Sequence, residues 1–276
     1  MRLNDILDTV GNYANNADLD VIMRAYVFSA KAHAGQVRKS GEPYLTHPLA
    51  VAGILSDWKM DVDTIATGLL HDTMEDCLVT HSDLLDLFGD EVADLVDGVT
   101  KIGKLEFRSK EEAQAENFRK MVLAMAKDVR VILVKMADRL HNMRTMQHMR
   151  SDRQKAISQE TLDIFAPIAN RLGLSKVKQE LEDLCFQYLH DDVYTELTRK
   201  LNEGAADRDG YISETCDLLQ EELNDKGLKT EIKGRSKHLF SVYRKMLSQN
   251  LEFEQVHDLM AFRIFVEDLG ACYTAL

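Results

Sequence analysis

Apolar positions recur at a helical period along most of the chain. Residues 3–34 read as two helices, the second opened by Asp18 and carrying Val21, Ile22, Ala25, Phe28, Ser29 and Ala32 on one face. From Ala34 to Tyr44 two glycines and a proline interrupt the period, which predicts a loop. Thr46 or His47 then caps a helix starting near Pro48, since proline fits where no intrahelical donor is needed. Helices are expected at 48–59 and 63–77, the second started by Asp61 or Asp63, then a short one from Ser82 to Phe88-Gly89. Val92, Leu95, Val96 and Val99 continue the pattern to a break at Gly103. Residues 104–117 are polar enough for a mobile loop, 118–127 read as helix, and Asp128 caps a helix over Val129 to Met149. Further helices follow over Ser151 to Leu172, kinked at Pro167, over Ser175 to His190, and over the very polar Val193 to Lys226, which Gly227 stops.

There the period changes. Residues 228–234 alternate as a strand, 237–249 return to helix, and 260–266 read as a second strand, the beginning of a βαβ unit. The expected fold is mainly α: a helical bundle followed by the beginning of an α/β domain, with the division at 1–195 and 196–276. With 276 residues, one large domain or two smaller ones are both open on length alone.

Composition narrows the class. Hydrophobic residues make up 45% and charged residues 29%, an ordinary globular balance. The first residues lack a basic start followed by an apolar stretch, and no run is long enough to span a bilayer, so a cytoplasmic protein without membrane contact is expected. Cys77, Cys185, Cys216 and Cys272 show no C-x-x-C spacing, which argues for reduced thiols and against a zinc knuckle. The formal charge is −12, and residues 1–100 hold 17 Asp or Glu against 6 Lys or Arg. Such a surface repels nucleic acid, so no direct nucleic-acid binding is expected. Charge reverses locally at Arg38-Lys39 and between Lys229 and Lys245, where a small anion could enter.

The chemistry concentrates in Gly68-Leu69-Leu70-His71-Asp72-Thr73-Met74-Glu75-Asp76-Cys77. On a continuous helix His71 and Glu75 share a face, as do Asp72 and Asp76, and the like-charged pair is unfavourable without a cation. A divalent metal would turn these clustered carboxylates into ligands. A solvated acidic helix end is the plainer alternative, but the flanking Leu69, Leu70 and Met74 argue against it. Farther on, Asp138, His141, Asn142 and Thr145 form one polar stripe on an otherwise apolar helix, which needs partners. His47, taken alone, reads as a cap or packing residue. With His71, Asp72 and Asp138 it completes two imidazoles and two carboxylates drawn from three helices. Such a set suits manganese, iron, magnesium or zinc, with the carboxylate share leaning to the harder ions.

This ligand order, H…HD…D, is similar to that of the HD superfamily of metal-dependent phosphohydrolases. The flanks are more specific. Phe28 to Tyr44 with Thr46-His47-Pro48, Leu70 to Asp76, Lys135 to Met143, Ala166 to Gly173 and Gly234-Arg235-Ser236-Lys237-His238 resemble the Rel/SpoT homologues, the (p)ppGpp hydrolase/synthetases of the bacterial stringent response. The resemblance runs over nearly the whole chain. It implies an HD-domain bundle that removes the 3′-pyrophosphate of (p)ppGpp, one manganese ion on His47, His71, Asp72 and Asp138, Glu75 and Asp76 as the catalytic acidic pair, and a guanosine site from Arg38, Lys39, Ser40, Asn142 and Thr145. It also implies that Arg235, Lys237, His238, Ser241, Lys245 and Asp258 match the first half of a pyrophosphoryl-transferase domain. The later motifs of that domain are missing from this sequence, so synthesis, and with it magnesium, is not expected of this chain. Ribosome contact is expected only of a longer parent. Two other readings stand beside this one: a general HD nucleotidase or phosphodiesterase acting on simpler nucleotides, and a non-catalytic module that binds an alarmone. The Arg38-Lys39-Ser40 loop argues for the narrower substrate, and the intact Glu75-Asp76 pair argues for turnover.

Overall fold

The computed structural model describes residues 1–14, 17–103 and 127–276. The expected polar loop at 104–117, and the helix at 118–127 up to residue 126, lie outside them. Two compact units divide the chain, Met1–Cys185 and Phe186–Leu276. The boundary falls inside a helix, ten residues before the division at 195/196 expected from the sequence.

The first unit has only helices as regular elements among the described residues. It contains α1 (Leu3–Gly11), α2 (Asp20–Ala32), α3 (Thr46–Asp57), α4 (Val62–Leu70), α5 (Thr73–Asp76), α6 (His81–Phe88), α7 (Asp90–Gly103), α8 (Val129–Arg144), α9 (Ser151–Glu160), α10 (Ala166–Arg171) and most of α11 (Ser175–Leu189). The centre is α4, which packs against α2, α3, α7 and α8. Ile65, Ala66, Leu69 and Leu70 are inaccessible to solvent, so this helix is apolar around most of its circumference, as a fully surrounded helix must be. Asp61 caps its start by accepting from the Thr64 N–H at 2.9 Å. Gly68 allows the close approach of α3: a Cβ there would stand 2.6 Å from Leu55 Cδ1 and 3.4 Å from the Ala52 Cα.

Several boundaries differ from the expected ones for local reasons. The helix expected over 63–77 stops at Leu70 and restarts at Thr73. The His71 ring N–H donates to the Gly68 carbonyl at 2.8 Å and the Thr73 hydroxyl to the Leu70 carbonyl at 2.6 Å, so side chains take over the carbonyls the helix leaves open. Asp18 accepts from the Asp20 N–H, but helix geometry begins only at Asp20. Helix α3 starts at Thr46, which places His47 inside its first turn instead of at the cap. The helix expected over 129–149 ends at Arg144 and continues as a 3-10 turn, Met146–His148. Ahead of Pro167 the chain widens into a π-turn, Thr161–Phe165, in which the Ala166 N–H reaches back to the Thr161 carbonyl. Proline supplies no N–H to the ordinary ladder, and the wider turn absorbs that loss.

The loop between α2 and α3 is a small hairpin. Val37 bridges Pro43, the Arg38 N–H donates to the Glu42 carbonyl, and the Gly41 N–H donates to the Arg38 carbonyl, both at 2.9 Å. Gly41 has φ +85°, a left-handed conformation that suits glycine and turns the chain back. This hairpin holds Arg38.

The second unit carries α12 (Asp191–Glu203), α13 (Ala205–Asp225), β1 (Glu231–Ser236), α14 (Leu239–Gln249), β2 (Met260–Phe265) and α15 (Leu269–Ala275). Gly204 divides the expected helix over 193–226 in two. Phe186 stacks on Tyr243 with centroids 4.5 Å apart, and Tyr194 and Phe240 close the cluster. The strands pair antiparallel, Glu231 opposite Phe265 and Ser236 opposite Met260, not as the parallel pair of a βαβ unit. Helix α14 carries the chain away from the end of β1 and residues 250–259 bring it back, so that the Lys237 N–H meets the Leu259 carbonyl and β2 starts beside the end of β1. No helix among the described residues is long and apolar enough to cross a membrane.

Candidate metal centre

Where α4 breaks, four chemically active side chains converge. His71 is 1% exposed and His47, in the first turn of α3, is 2% exposed. A carbonyl can only accept, so Nδ1 of His71 is protonated and Nε2 is the nitrogen that gives up its proton and carries the lone pair when the ring is neutral. That nitrogen lies 3.1 Å from Asp72 Oδ1 and 3.9 Å from Asp138 Oδ1, yet it has no aligned hydrogen-bond partner. His47 Nε2 lies 3.4 Å from Asp72 Oδ2 and 3.3 Å from Asp138 Oδ1. Asp138, buried in the middle of α8, is steadied by the Lys135 ammonium at 2.9 Å on Oδ2 and by the Asn142 amide at 2.5 Å on Oδ1.

The electrostatics follow from this crowding. Burial resists charge on His71, but the neighbouring Asp72 carboxylate prevails and pushes its pKa up to about 9. Burial pushes His47 the other way, below its ordinary value, although the same carboxylates face it. The two histidines diverge because one proton balances much of the shared negative charge and a second would repel it. Burial opposes ionisation of Asp72 and Asp138 as well. The His71 cation beside Asp72, and Lys135 beside Asp138, nevertheless hold both well below the usual carboxylate range.

The donor set fits a divalent cation. His47, His71 and Asp138 each offer one atom within 4.8 Å of the others. Ligand atoms at about 2.1 Å from one small ion stand about 3 Å apart in octahedral geometry, close to the histidine–carboxylate separations found here. The buried, unpartnered His71 Nε2 is the feature a cation would satisfy, replacing the proton that otherwise balances the carboxylates.

The other expected residues are partly gathered around this cluster. Arg38 reaches it, donating from Nη2 to Asn142 Oδ1 at 3.0 Å and from Nη1 toward His141 Nδ1 at 3.3 Å. Ser40 instead donates to Glu42 within the hairpin at 3.2 Å, Lys39 is exposed, and the Thr145 hydroxyl closes the end of α8 on the His141 carbonyl at 3.0 Å. Glu75 and Asp76 are exposed on the short α5. Because α4 stops before His71, the shared face inferred for His71 and Glu75 on a continuous helix does not exist. Partial burial, then the Asp72 and Asp138 charges, raise Glu75 despite the opposing Lys135.

Three further residues join the site that were given no role from the sequence, His141 only as part of the polar stripe. The Tyr44 hydroxyl stands 2.6 Å from Asp76 Oδ2 and 2.9 Å from Asp72 Oδ2, tying the two carboxylates together. Lys135 neutralises Asp138 from one turn earlier in α8. His141, whose pKa is pushed down to about 3 by burial and then by the adjacent His47 and Arg38, lies 2.7 Å from His47 through the two Nδ1 atoms. The placement of Tyr44 three residues before His47, and of His141 in the polar stripe of Asp138, was the available signal.

In the second unit Lys237 and Lys245 both ion-pair with Asp258, one on each carboxylate oxygen, and hold its pKa down to about 2. His238 is the N-cap of α14, Ser241 lies in its first turn, and Arg235 is exposed on β1.

The family model described as "HD domain" matches residues 25–175, more than half of the chain. The chain belongs to the HD-domain family. A second model, the region found in RelA/SpoT proteins, matches residues 234–276 of this HD-domain chain. It is 56% identical over 271 residues to a GTP pyrophosphokinase of Myxococcus xanthus, with 97% of this chain and 36% of that protein covered. It is 51% identical over 257 residues to a probable guanosine-3′,5′-bis(diphosphate) 3′-pyrophosphohydrolase of Synechocystis, covering 93% of this chain and 34% of the relative. To the bifunctional (p)ppGpp synthase/hydrolase SpoT of Escherichia coli K12 it is 43% identical over 274 residues, covering 99% and 39%. The HD-domain chain thus spans little more than a third of the length of these curated relatives.

Proposed function

We propose that the first 195 residues form a divalent-metal-dependent hydrolase that removes the 3′-pyrophosphate of (p)ppGpp, giving GDP or GTP and pyrophosphate, in the cytoplasm. The observation that carries this reading is the buried, unpartnered Nε2 of His71, which faces two carboxylates, in a first hundred residues whose acidic run is broken by adjoining basic residues only at Arg38-Lys39. The names of the relatives support the substrate.

Manganese is the ion we assign, held by His47, His71, Asp72 and Asp138. When bound it supplies an acidified water and offsets charge at the attacked phosphorus. The chain's own residues do the rest. Glu75, whose pKa partial burial raises, is suited to accept a proton from an attacking water, and Asp76 is held beside Asp72 by the Tyr44 hydroxyl. Arg38 provides a planar cation for a guanine face or a phosphate and is bonded to Asn142, and we assign Lys39, Ser40 and Thr145 to the same guanosine site. The second unit's Lys237–Asp258–Lys245 cluster and Arg235 form a basic surface that we read as part of a pyrophosphoryl-transferase site needing magnesium and further residues.

The test is release of pyrophosphate from ppGpp by the 276-residue chain, first treated with chelator and then given Mn2+. Turnover should require the metal and vanish in Asp72→Ala and Asp138→Ala. Metal-independent turnover, or turnover retained in both variants, would sink the proposal. GTP and cyclic nucleotides offered in parallel should be poor substrates, and incubation with ATP and GDP should yield no ppGpp.

A further inference from the structure

We propose that His141 is a positioning residue for the metal centre: clamped by Arg38, it keeps the proton of His47 on Nδ1 and so leaves His47 Nε2 free to bind a metal. The inference rests on the metal-binding part of the function proposed above but not on its substrate.

An arginine guanidinium has donors and no acceptor. Its Nη1 lies 3.3 Å from His141 Nδ1, so that ring nitrogen must present a lone pair. The same nitrogen is 2.7 Å from His47 Nδ1. Two lone pairs cannot face each other at that distance, so the proton between them belongs to His47. Its other nitrogen, Nε2, is then unprotonated, and this is the atom directed at Asp72 and Asp138. The two histidines of the site therefore reach the same tautomer by different means. His71 donates to a backbone carbonyl within its own turn, whereas His47 depends on a side chain 94 residues away. A ligating histidine needs such a partner on its second nitrogen to fix ring and tautomer.

Arg38 also sets the other wall. Its Nη2 donates to Asn142 Oδ1 at 3.0 Å, which fixes the amide so that its nitrogen donates to Asp138 Oδ1 at 2.5 Å. One guanidinium on the 34–44 hairpin thus orients two metal-facing groups, an imidazole through His141 and a carboxylate through Asn142. Binding at Arg38 and binding of the metal are consequently coupled, and linkage makes that coupling reciprocal.

The experiment is a Mn2+ titration of the chelator-treated 276-residue chain, read from the loss of the free-ion electron paramagnetic resonance signal, on the wild type, His141→Leu and His141→Asn. Leucine removes the acceptor; the asparagine oxygen can replace it near the position of Nδ1. His141→Leu should weaken Mn2+ binding roughly 10- to 100-fold, and His141→Asn should recover most of the loss. Unchanged affinity in His141→Leu, failure of His141→Asn to recover, or no Mn2+ binding by the wild type would overturn the assignment. Should the leucine variant not fold, nitrogen-15 spectra of the metal-free wild type decide: His47 must carry its proton on Nδ1, and a proton on Nε2 refutes the idea. A wild type that shows this metal pattern but leaves ppGpp intact sinks the substrate assignment alone. A wild type that hydrolyses ppGpp while His141→Leu binds Mn2+ normally sinks the positioning role alone.

Discussion

Freed of metal, the first unit should lose stability between pH 6.5 and 9, and His71 should account for most of the loss. Its pKa rises from 6.5 to about 9 on folding, so the protonated ring stabilises the folded state fully below 6.5 and progressively ceases to do so as pH climbs through 9. That rise corresponds to about 3 kcal/mol, undiminished by solvent because the ring is fully buried. His47 moves in the opposite sense, so it weakens the fold on the acid side of 6.5 and leaves this window to His71. The assay is urea denaturation in chelator at several pH values, followed by the fluorescence of Trp58, the chain's single tryptophan, which sits at the end of α3 in the same unit. Saturating Mn2+ should flatten the dependence because the metal replaces the proton, and Mn2+ affinity should rise over the same range. His71→Gln should abolish the slope. A change below about 1 kcal/mol across the window, or an equal slope with and without metal, would refute the reasoning.

Three further outcomes are expected. Tyr44→Phe removes the hydroxyl shared by Asp72 and Asp76, and should lower kcat for ppGpp by about tenfold or more while costing at most about 1.5–3 kcal/mol of stability, the worth of a hydrogen bond to a charged group; kcat at the wild-type level would show the bridge is idle. Lys135→Met leaves Asp138 without its ammonium and should destabilise the chelator-treated protein by about 3–5 kcal/mol, with Mn2+ restoring much of it, as read by the same denaturation; equal loss with and without Mn2+ would mean that metal and lysine do not share the carboxylate. Gly68→Ala should cost about 1–3 kcal/mol, because the new methyl meets Leu55 and the Ala52 backbone; a neutral variant would show that α3 and α4 can part without penalty.

Most helices were legible because burial imposes a period that a sequence displays directly, as in α2 and α4. The break at His71 was not legible. Apolar positions continue past it, and what ends the helix is a pair of side-chain hydrogen bonds, from His71 and Thr73 to carbonyls three residues back, that leave no mark on the period. That break undid the face shared by His71 and Glu75, whose proposed roles now rest on different elements. The strand directions failed for a related reason: a helix between two strands suggests a crossover, but residues 250–259 return the chain to its starting side. Among the site residues, those with strong chemical identity were found from type and order. Tyr44, Lys135 and His141 act through neighbours, and only packing shows which neighbours those are.

Asp138 shows what the packing adds. Its Oδ2 is taken by Lys135, while Oδ1 receives the Asn142 amide and faces both histidines. A carboxylate gripped in this way has little rotational freedom left to lose when a cation arrives. The positive charge of Lys135 moderates the attraction for a second cation, whereas Asn142 and His141, both set by Arg38, favour one by orienting Asp138 and His47. Affinity for the metal is then the balance of a fixed charge in α8 against an orientation imposed from the 34–44 hairpin. The fixed charge is always present, but the orientation is only as secure as the grip of Arg38. A ligand that draws Arg38 toward itself must therefore retune the metal centre as it binds.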